Sequence, residues 1–125
     1  EYVMFGNTSK SSKIVNKLLT EGASPISLVR SLSNYMLRVQ KTKIEMKKGN
    51  NFEVAIKSLR PPVFWKDKDN FERHCHKWPL SSIEINLFKL LETEVSCKLN
   101  SNLASLNCEK SILLVADSGR NYFRN

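Results

Sequence analysis

Residues 24–47, SPISLVRSLSNYMLRVQKTKIEMK, decide the fold. Ser24 is a strong N-cap residue, and Pro25 follows at the first helical position, where the missing N–H costs nothing and the fixed φ already suits a helix. Beyond them Leu28, Leu32, Tyr35 and Val39 recur at i, i+4, i+7 and i+11, an inward stripe of helical period, with Arg30, Asn34, Arg38 and Lys41 on the wet side. The spacing predicts one long helix to about Lys47, broken by Gly49.

The same punctuation recurs on both sides of this helix. Upstream, Ile14, Val15, Leu18 and Leu19 predict a helix over 11–21, stopped by Gly22 in a left-handed turn. Downstream, Asn50 with Glu53 resembles a capping box for a short helix carrying Phe52, Ala55, Ile56 and Leu59, which Pro61-Pro62 end. Val63-Phe64-Trp65 reads as an apolar connector. From a capping Asp67, the residues Phe71, His74, Cys75 and Trp78 recur at i, i+3, i+4 and i+7 until Pro79.

Leu80-Ser81-Ser82-Ile83-Glu84-Ile85 then reads as Ser81 N-cap, Glu84 at the third position, and Leu80 stapled against Ile85. The helix it opens runs to about Leu99. After a polar loop at Asn100-Ser101-Asn102, Asn107 is placed to cap a last helix that stops near Gly119. Residues 1–10 form a lead-in and 118–125 a frayed tail. Five to six helical segments, short loops and no repeat predict a single all-α bundle over 1–125.

Composition agrees. In 125 residues, 41% hydrophobic and 26% charged side chains with only four Gly and four Pro describe one globular domain, which excludes a multidomain enzyme. Twenty Lys+Arg against twelve Asp+Glu give +8, a balance that favours acidic partners. Residues 1–77 hold 15 basic and 7 acidic side chains (+8), and residues 78–125 hold 5 of each (zero), so the basic surface belongs to the first two thirds.

Cys75, Cys97 and Cys108 are an odd set without CxxC spacing, which argues for a reducing cytoplasm over a disulfide framework or zinc knuckle. No apolar run approaches the roughly 20 residues of a bilayer span, and no signal-peptide pattern is present, so no membrane partner is expected. The apolar opening Tyr2-Val3-Met4-Phe5 after Glu1 suggests a domain excised from a longer polypeptide.

The candidate chemistry is sparse. His74-Cys75-His76 carries metal-ligand residue types, yet two helical steps turn about 200°, which points the two imidazoles apart. No metal site is therefore expected, with His74 at the core edge and His76 in water. Gly6, Gly22, Gly49 and Gly119 are isolated and open no phosphate-cradling motif, so no nucleotide cofactor or small-molecule substrate is indicated. No local nucleophile motif exists, and no catalytic residue is assigned.

Arg38, Lys41, Lys43, Lys47, Lys48, Lys57, Arg60, Lys66 and Lys68 form a candidate basic contact surface for a phosphate backbone or an acidic protein. A helix-turn-helix reading fails on chemistry, since the would-be recognition helix opens Pro25-Ile26-Ser27-Leu28-Val29, without the Arg, Asn or Gln that base readout wants. On the fifth helix, with Leu87 at zero, Ile83 falls near −40°, Leu90 near −60°, Leu91 near +40° and Val95 near +80°, at about 100° per residue. Glu94 near −20° and Lys98 near +20° then put an i, i+4 ion pair in the middle of the apolar face, a candidate fold-fixing element. The other reading open to it is a surface bridge.

The C-terminal third resembles a known family. Leu87, Leu90-Leu91, Glu92-Thr93-Glu94-Val95-Ser96-Cys97-Lys98 and Cys108-Glu109-Lys110-Ser111-Ile112-Leu113-Leu114 together resemble the end of the delta subunit of bacterial DNA polymerase III, of the clamp-loader family. Glu94 and Lys98 fall on that family's acid-x-x-x-Lys pattern. Leu18-Leu19-Thr20-Glu21-Gly22-Ala23-Ser24-Pro25-Ile26 is similar to its entry to the long helix, and Gly49 followed by Pro62-Val63-Phe64 to its mid-domain connector. The resemblance spans about residues 14–117. It implies an α-helical collar domain at the delta C-terminus, non-catalytic, associating with the other clamp-loader subunits in a hetero-oligomeric ring that places the sliding clamp on DNA, with DNA contact possible through the complex. Two other readings of the residues stay open: an independent basic nucleic-acid-binding domain acting through Arg38, Lys41, Lys43, Lys47 and Lys48, and a helical adaptor of an unrelated protein.

Overall fold

The structure, a computed structural model, describes residues 2–123. Six helices follow in order: α1 (Thr8–Thr20), α2 (Pro25–Lys47), α3 (Phe52–Ala55), α4 (Lys68–Lys77), α5 (Leu80–Leu99) and α6 (Ala104–Arg120). Three single 3₁₀ turns, at Ile56–Ser58, Trp65–Asp67 and Ser101–Leu103, join them. There is no strand among the described residues, and the fold is the all-α bundle read from the sequence.

The long helix sits where its caps put it. Ser24 Oγ accepts from the Ser27 N–H at 3.4 Å, Pro25 is the first helical residue, and the chain leaves past Lys47 through Gly49 at φ +105°. α2 packs against α5, α6, α4 and α3, while α6 lies between α1, α2 and α5. Being clasped on several sides rotates the buried band of α2 from the expected stripe. Val29, Met36, Val39 and Thr42 are buried, and Leu28, Leu32 and Tyr35 pack beside the core with part of their surface in water.

Four helix starts differ from the sequence reading, each for a local reason. α1 begins at Thr8, because Asn7 Oδ1 accepts from Lys10 N–H at 3.0 Å and caps it a turn early. The cap of α3 is Asn51, not Asn50: its Oδ1 accepts from Val54 N–H at 2.9 Å, while Asn50 Nδ2 donates to Glu45. That shift removes Glu53 from the capping box, and it pairs instead with Lys68 at 2.7 Å. α5 opens at Leu80 directly after Pro79, whose extended backbone takes the cap position, so Ser81 lies exposed inside the first turn and caps nothing. α6 likewise opens at Ala104 without a side-chain cap, and Asn107 within it donates to Ser96 Oγ at 3.3 Å.

The described residues near both ends of the chain pack into the bundle. Met4 is fully buried, and the buried Trp78 Nε1 donates to the Met4 carbonyl at 2.8 Å. Gly119 does not stop α6, which continues to Arg120. A Cβ there would stand 2.9 Å from Trp78 Cζ2 and 3.0 Å from the Met4 carbonyl oxygen, so glycine is required for close approach. Tyr122 lies on Trp78, ring centroids 5.2 Å apart, and Phe123 meets Phe5 edge-on at 4.9 Å. The expected frayed tail is thus corrected through Phe123; its last two residues lie outside the described residues.

The three cysteines are free and buried. Burial pushes the Cys75 thiol up to about 12 and the Cys108 thiol up to about 11, and raises Cys97 as well. At neutral pH they are packing groups rather than nucleophiles.

Candidate functional site

The inward side of α5 is not centred where the leucines alone place it. Ile83, Asn86, Leu90 and Cys97 are buried, with Leu87 at the margin. Asn86 can face inward because its amide donates to the Ser82 carbonyl at 2.8 Å and its carbonyl accepts from Ser118 Oγ at 3.4 Å, so a buried amide is satisfied. Leu91 and Val95, read from the sequence as inward, are turned out by this rotation of roughly 60–80°.

The outer side that results is apolar and wet. Ile85, Phe88, Leu91, Val95 and Leu99 recur every three or four residues, and Phe88 and Leu99 leave 63% and 83% of their surface in water. Single exposed apolar residues are ordinary, whereas five in line along nearly four turns form a patch of the kind that marks an interaction site. Beside it, Leu37 of α2, with Leu87, Phe88 and Leu91, lines a shallow groove of about 560 Å³ rimmed by Arg30, Asn34 and Glu94.

Glu94 lies at the edge of this groove, with Lys98 beside it. Glu94 is mostly covered and receives a hydrogen bond from Arg30 Nε of α2, while Lys98 Nζ stands farther off at 4.0 Å and is half exposed. The Arg30 hydrogen bond, with the charges of Arg30 and Lys98 behind it, holds the Glu94 carboxyl below its ordinary value. The partner that sequence reading missed is Arg30, placed on a wet face 64 residues upstream, where no periodicity connects it to α5.

A second exposed cluster sits on the connector before α4. Trp65 is 74% exposed and Phe64 lies beside it, ring centroids 5.9 Å apart. Lys66 Nζ lies 5.4 Å from the Trp65 ring centroid, and Arg60 is exposed with its guanidinium on the Lys57 and Leu59 carbonyls. Arg38 donates to the Pro61 carbonyl at 2.7 Å, which ties α2 to this loop; Lys41, one turn along α2, is exposed. The remaining basic residues are spread differently. Lys43 is half-buried, its Nζ donating to the Cys75 carbonyl at 2.6 Å, and burial lowers its pKa; Lys48 pairs with Glu45 at 3.2 Å, Lys68 with Glu53, and Lys47 is exposed.

The two histidines diverge. His74 is fully buried rather than at the core edge, its Nδ1 hydrogen-bonded to Tyr35 Oη among Phe5, Phe71 and Phe123. Burial, reinforced by the Arg73 charge, lowers its pKa to about 3. His76 is exposed, 3.4 Å from Glu72. Among the described residues no group of three His, Cys, Asp or Glu side chains is placed to hold a metal, and no helix is long and apolar enough to cross a membrane.

What this geometry defines is a helical module with two outward surfaces, one apolar and one aromatic-basic. Comparison with known proteins adds one relative: 96 residues, 77% of this chain, are 31% identical to a probable DNA polymerase III subunit delta of Rickettsia prowazekii (strain Madrid E). The chain spans 29% of that protein's length. No family model matches the chain, and no solved structure matches it.

Proposed function

We propose that this chain is a non-catalytic subunit-association domain of a DNA polymerase III delta subunit, the collar at its C-terminal end, acting within the clamp loader of the bacterial cytoplasm. The observation that carries the reading is the line of five exposed apolar residues on α5 from Ile85 to Leu99. A lone domain gains nothing from holding that surface in water, since each buried large apolar side chain is worth about 1.5–3 kcal/mol. Similarity to a probable delta subunit supports the same assignment. Other clamp-loader subunits are the partners, and Arg30–Glu94–Lys98 fixes the angle at which α5 presents its face. Light scattering on a sizing column tests it: mixed with the other clamp-loader subunits, the chain should shift to a stoichiometric hetero-complex. Independent elution of the folded chain would count against it.

A second reading has its own observation, the exposed Trp65 and Phe64 with Lys66 beside the Trp65 ring, on a connector whose Pro61 carbonyl accepts from Arg38. Bases stack on such rings while nearby cations follow the phosphates. Here the ligand is single-stranded DNA, touched by the same domain on a different side. Fluorescence anisotropy with a labelled oligonucleotide should give an affinity that falls steeply with salt and drops several-fold in Trp65→Ala; a flat salt response would remove this reading.

A further inference from the structure

The outer face of α5 is not purely apolar, and its charges define what can cover it. With Leu87 again at zero, Leu91, Val95, Phe88, Leu99 and Ile85 spread from about +40° to +160° around the helix. Glu84 near +60° and Glu92 near +140° fall inside that sector. Both glutamates are exposed, and neither makes an ion pair among the described residues. Glu84 and Glu92 line one hollow with Ile85 and Phe88, and Glu92 lines the next with Leu91, Val95 and Leu99. Two cations border the sector: Lys98 stands against Glu94, and Lys89, at the flank beyond Ile85, lines the same hollow as Glu84 and Glu92 without an ion pair to either among the described residues. On a chain of net charge +8, an apolar stripe carrying two unpaired carboxylates is a local inversion of sign.

A second copy of this chain meets like charge in the pairings that centre on the stripe or on Phe88. An antiparallel two-fold pairing centred on the stripe brings Glu92 against the copy's Glu92, and one centred on Phe88 brings Glu84 against Glu92. A parallel pairing sets each glutamate against itself. Like charges apposed across an interface disfavour it, and desolvating them without partners adds to the cost. A different chain with lysine or arginine at those positions turns both penalties into charge-assisted hydrogen bonds.

Resting on the association reading above, we infer that the occupant of the α5 face is a non-self amphipathic helix whose apolar stripe is interleaved with basic residues that meet Glu84 and Glu92. Such a partner lays leucine-like anchors along Phe88, Leu91 and Val95 and is selected by charge, so its binding weakens with salt while the apolar contacts do not.

Two measurements test this. In the first, two synthetic helical peptides share one leucine stripe, one flanked by Lys/Arg and the other by Glu, and anisotropy measures their affinity for the full chain. The basic peptide should bind at least tenfold more tightly at low salt, and the exposed double reversal Glu84→Lys/Glu92→Lys should invert the order while circular dichroism stays unchanged. Equal binding, or an unchanged preference in the double variant, overturns the inference, as does a wild-type homodimer that Leu91→Ser dissociates. In the second, the double variant is mixed with the other clamp-loader subunits. Co-elution that survives both reversals overturns the charge selection alone, whereas failure of the wild-type chain to co-elute removes the association reading.

Discussion

The junction of the chain ends and the outer side of α5 are both rich in large apolar side chains, and they sit in opposite environments. At the junction, Trp78 is fully buried, its indole N–H is satisfied by Met4, and Gly119 leaves no room for a methyl group. On α5, Phe88, Leu91 and Leu99 leave more than half of their surface in water. The first region has already made its contacts and holds the fold; the second, on the function proposed above, carries the means of association. Side-chain chemistry does not separate them, since both are leucine-, tryptophan- or phenylalanine-bearing helical segments. What separates them is which side of each helix its neighbours occupy.

Substitutions should therefore divide cleanly between stability and association. The largest expected effect is at the junction. Trp78→Ala removes a fully buried ring and orphans the Met4 carbonyl, costing about 3–5 kcal/mol in denaturant melts. Gly119→Leu should be comparably damaging, because even a Cβ meets Trp78 and the Met4 carbonyl at or inside contact distance. If either variant melted like the wild type, the junction would not be the element that closes the bundle.

Acid sharpens the comparison from the other side, through a buried group with no counterpart on α5. His74 has a folded pKa near 3 against 6.5 in the unfolded chain. Its contribution to stability is complete above 6.5 and is lost as pH falls from there toward 3, at up to about 1.4 kcal/mol per pH unit, because the unfolded chain takes up the proton that the folded core refuses. Replacing both partners, His74→Phe with Tyr35→Phe, should flatten the pH dependence of the melting midpoint over that window. An unchanged slope would place the titration elsewhere.

Smaller effects belong to the groove. Glu94 is held below its ordinary pKa by Arg30, so its contribution is present above the ordinary carboxylate range and fades as pH falls through its lowered value. Arg30→Met should raise the Glu94 pKa measured by NMR and leave folding intact. An unmoved pKa would mean the carboxylate does not depend on α2. Smallest of all for stability are Phe88→Ser and Leu91→Ser, expected to shift unfolding by about 0.5 kcal/mol or less because their surfaces are already in water.

How much of this was legible in the residues follows the range of the forces involved. The start of α2 was readable because Ser24 and Pro25 are adjacent and act on their own turn. The start of α5 was misread although Ser81 and Glu84 form a capping box on paper, since Pro79 two residues earlier takes the cap position first. The face of α5 was beyond periodicity. Apolar residues cover about two thirds of that helix's circumference, and the marker of its inner side is a polar residue, Asn86, whose partner Ser118 is 32 positions away. Arg30 at Glu94 and the close packing at Gly119 are likewise long-range facts that one helix's sequence does not encode. Glu94 and Lys98 were singled out from α5 alone, and the structure sets Glu94 at the rim of the α2–α5 groove with Lys98 beside it.

On the function proposed above, α5 associates through its outer side without that side being needed for folding. Light scattering of the Phe88→Ser/Leu91→Ser double variant, mixed with the other clamp-loader subunits beside the wild-type chain, addresses it most directly. The wild type should form a stoichiometric hetero-complex, and the variant should melt within a degree or two of it yet elute alone. A variant that still enters the complex at the wild-type ratio would contradict the claim and move the interface off α5.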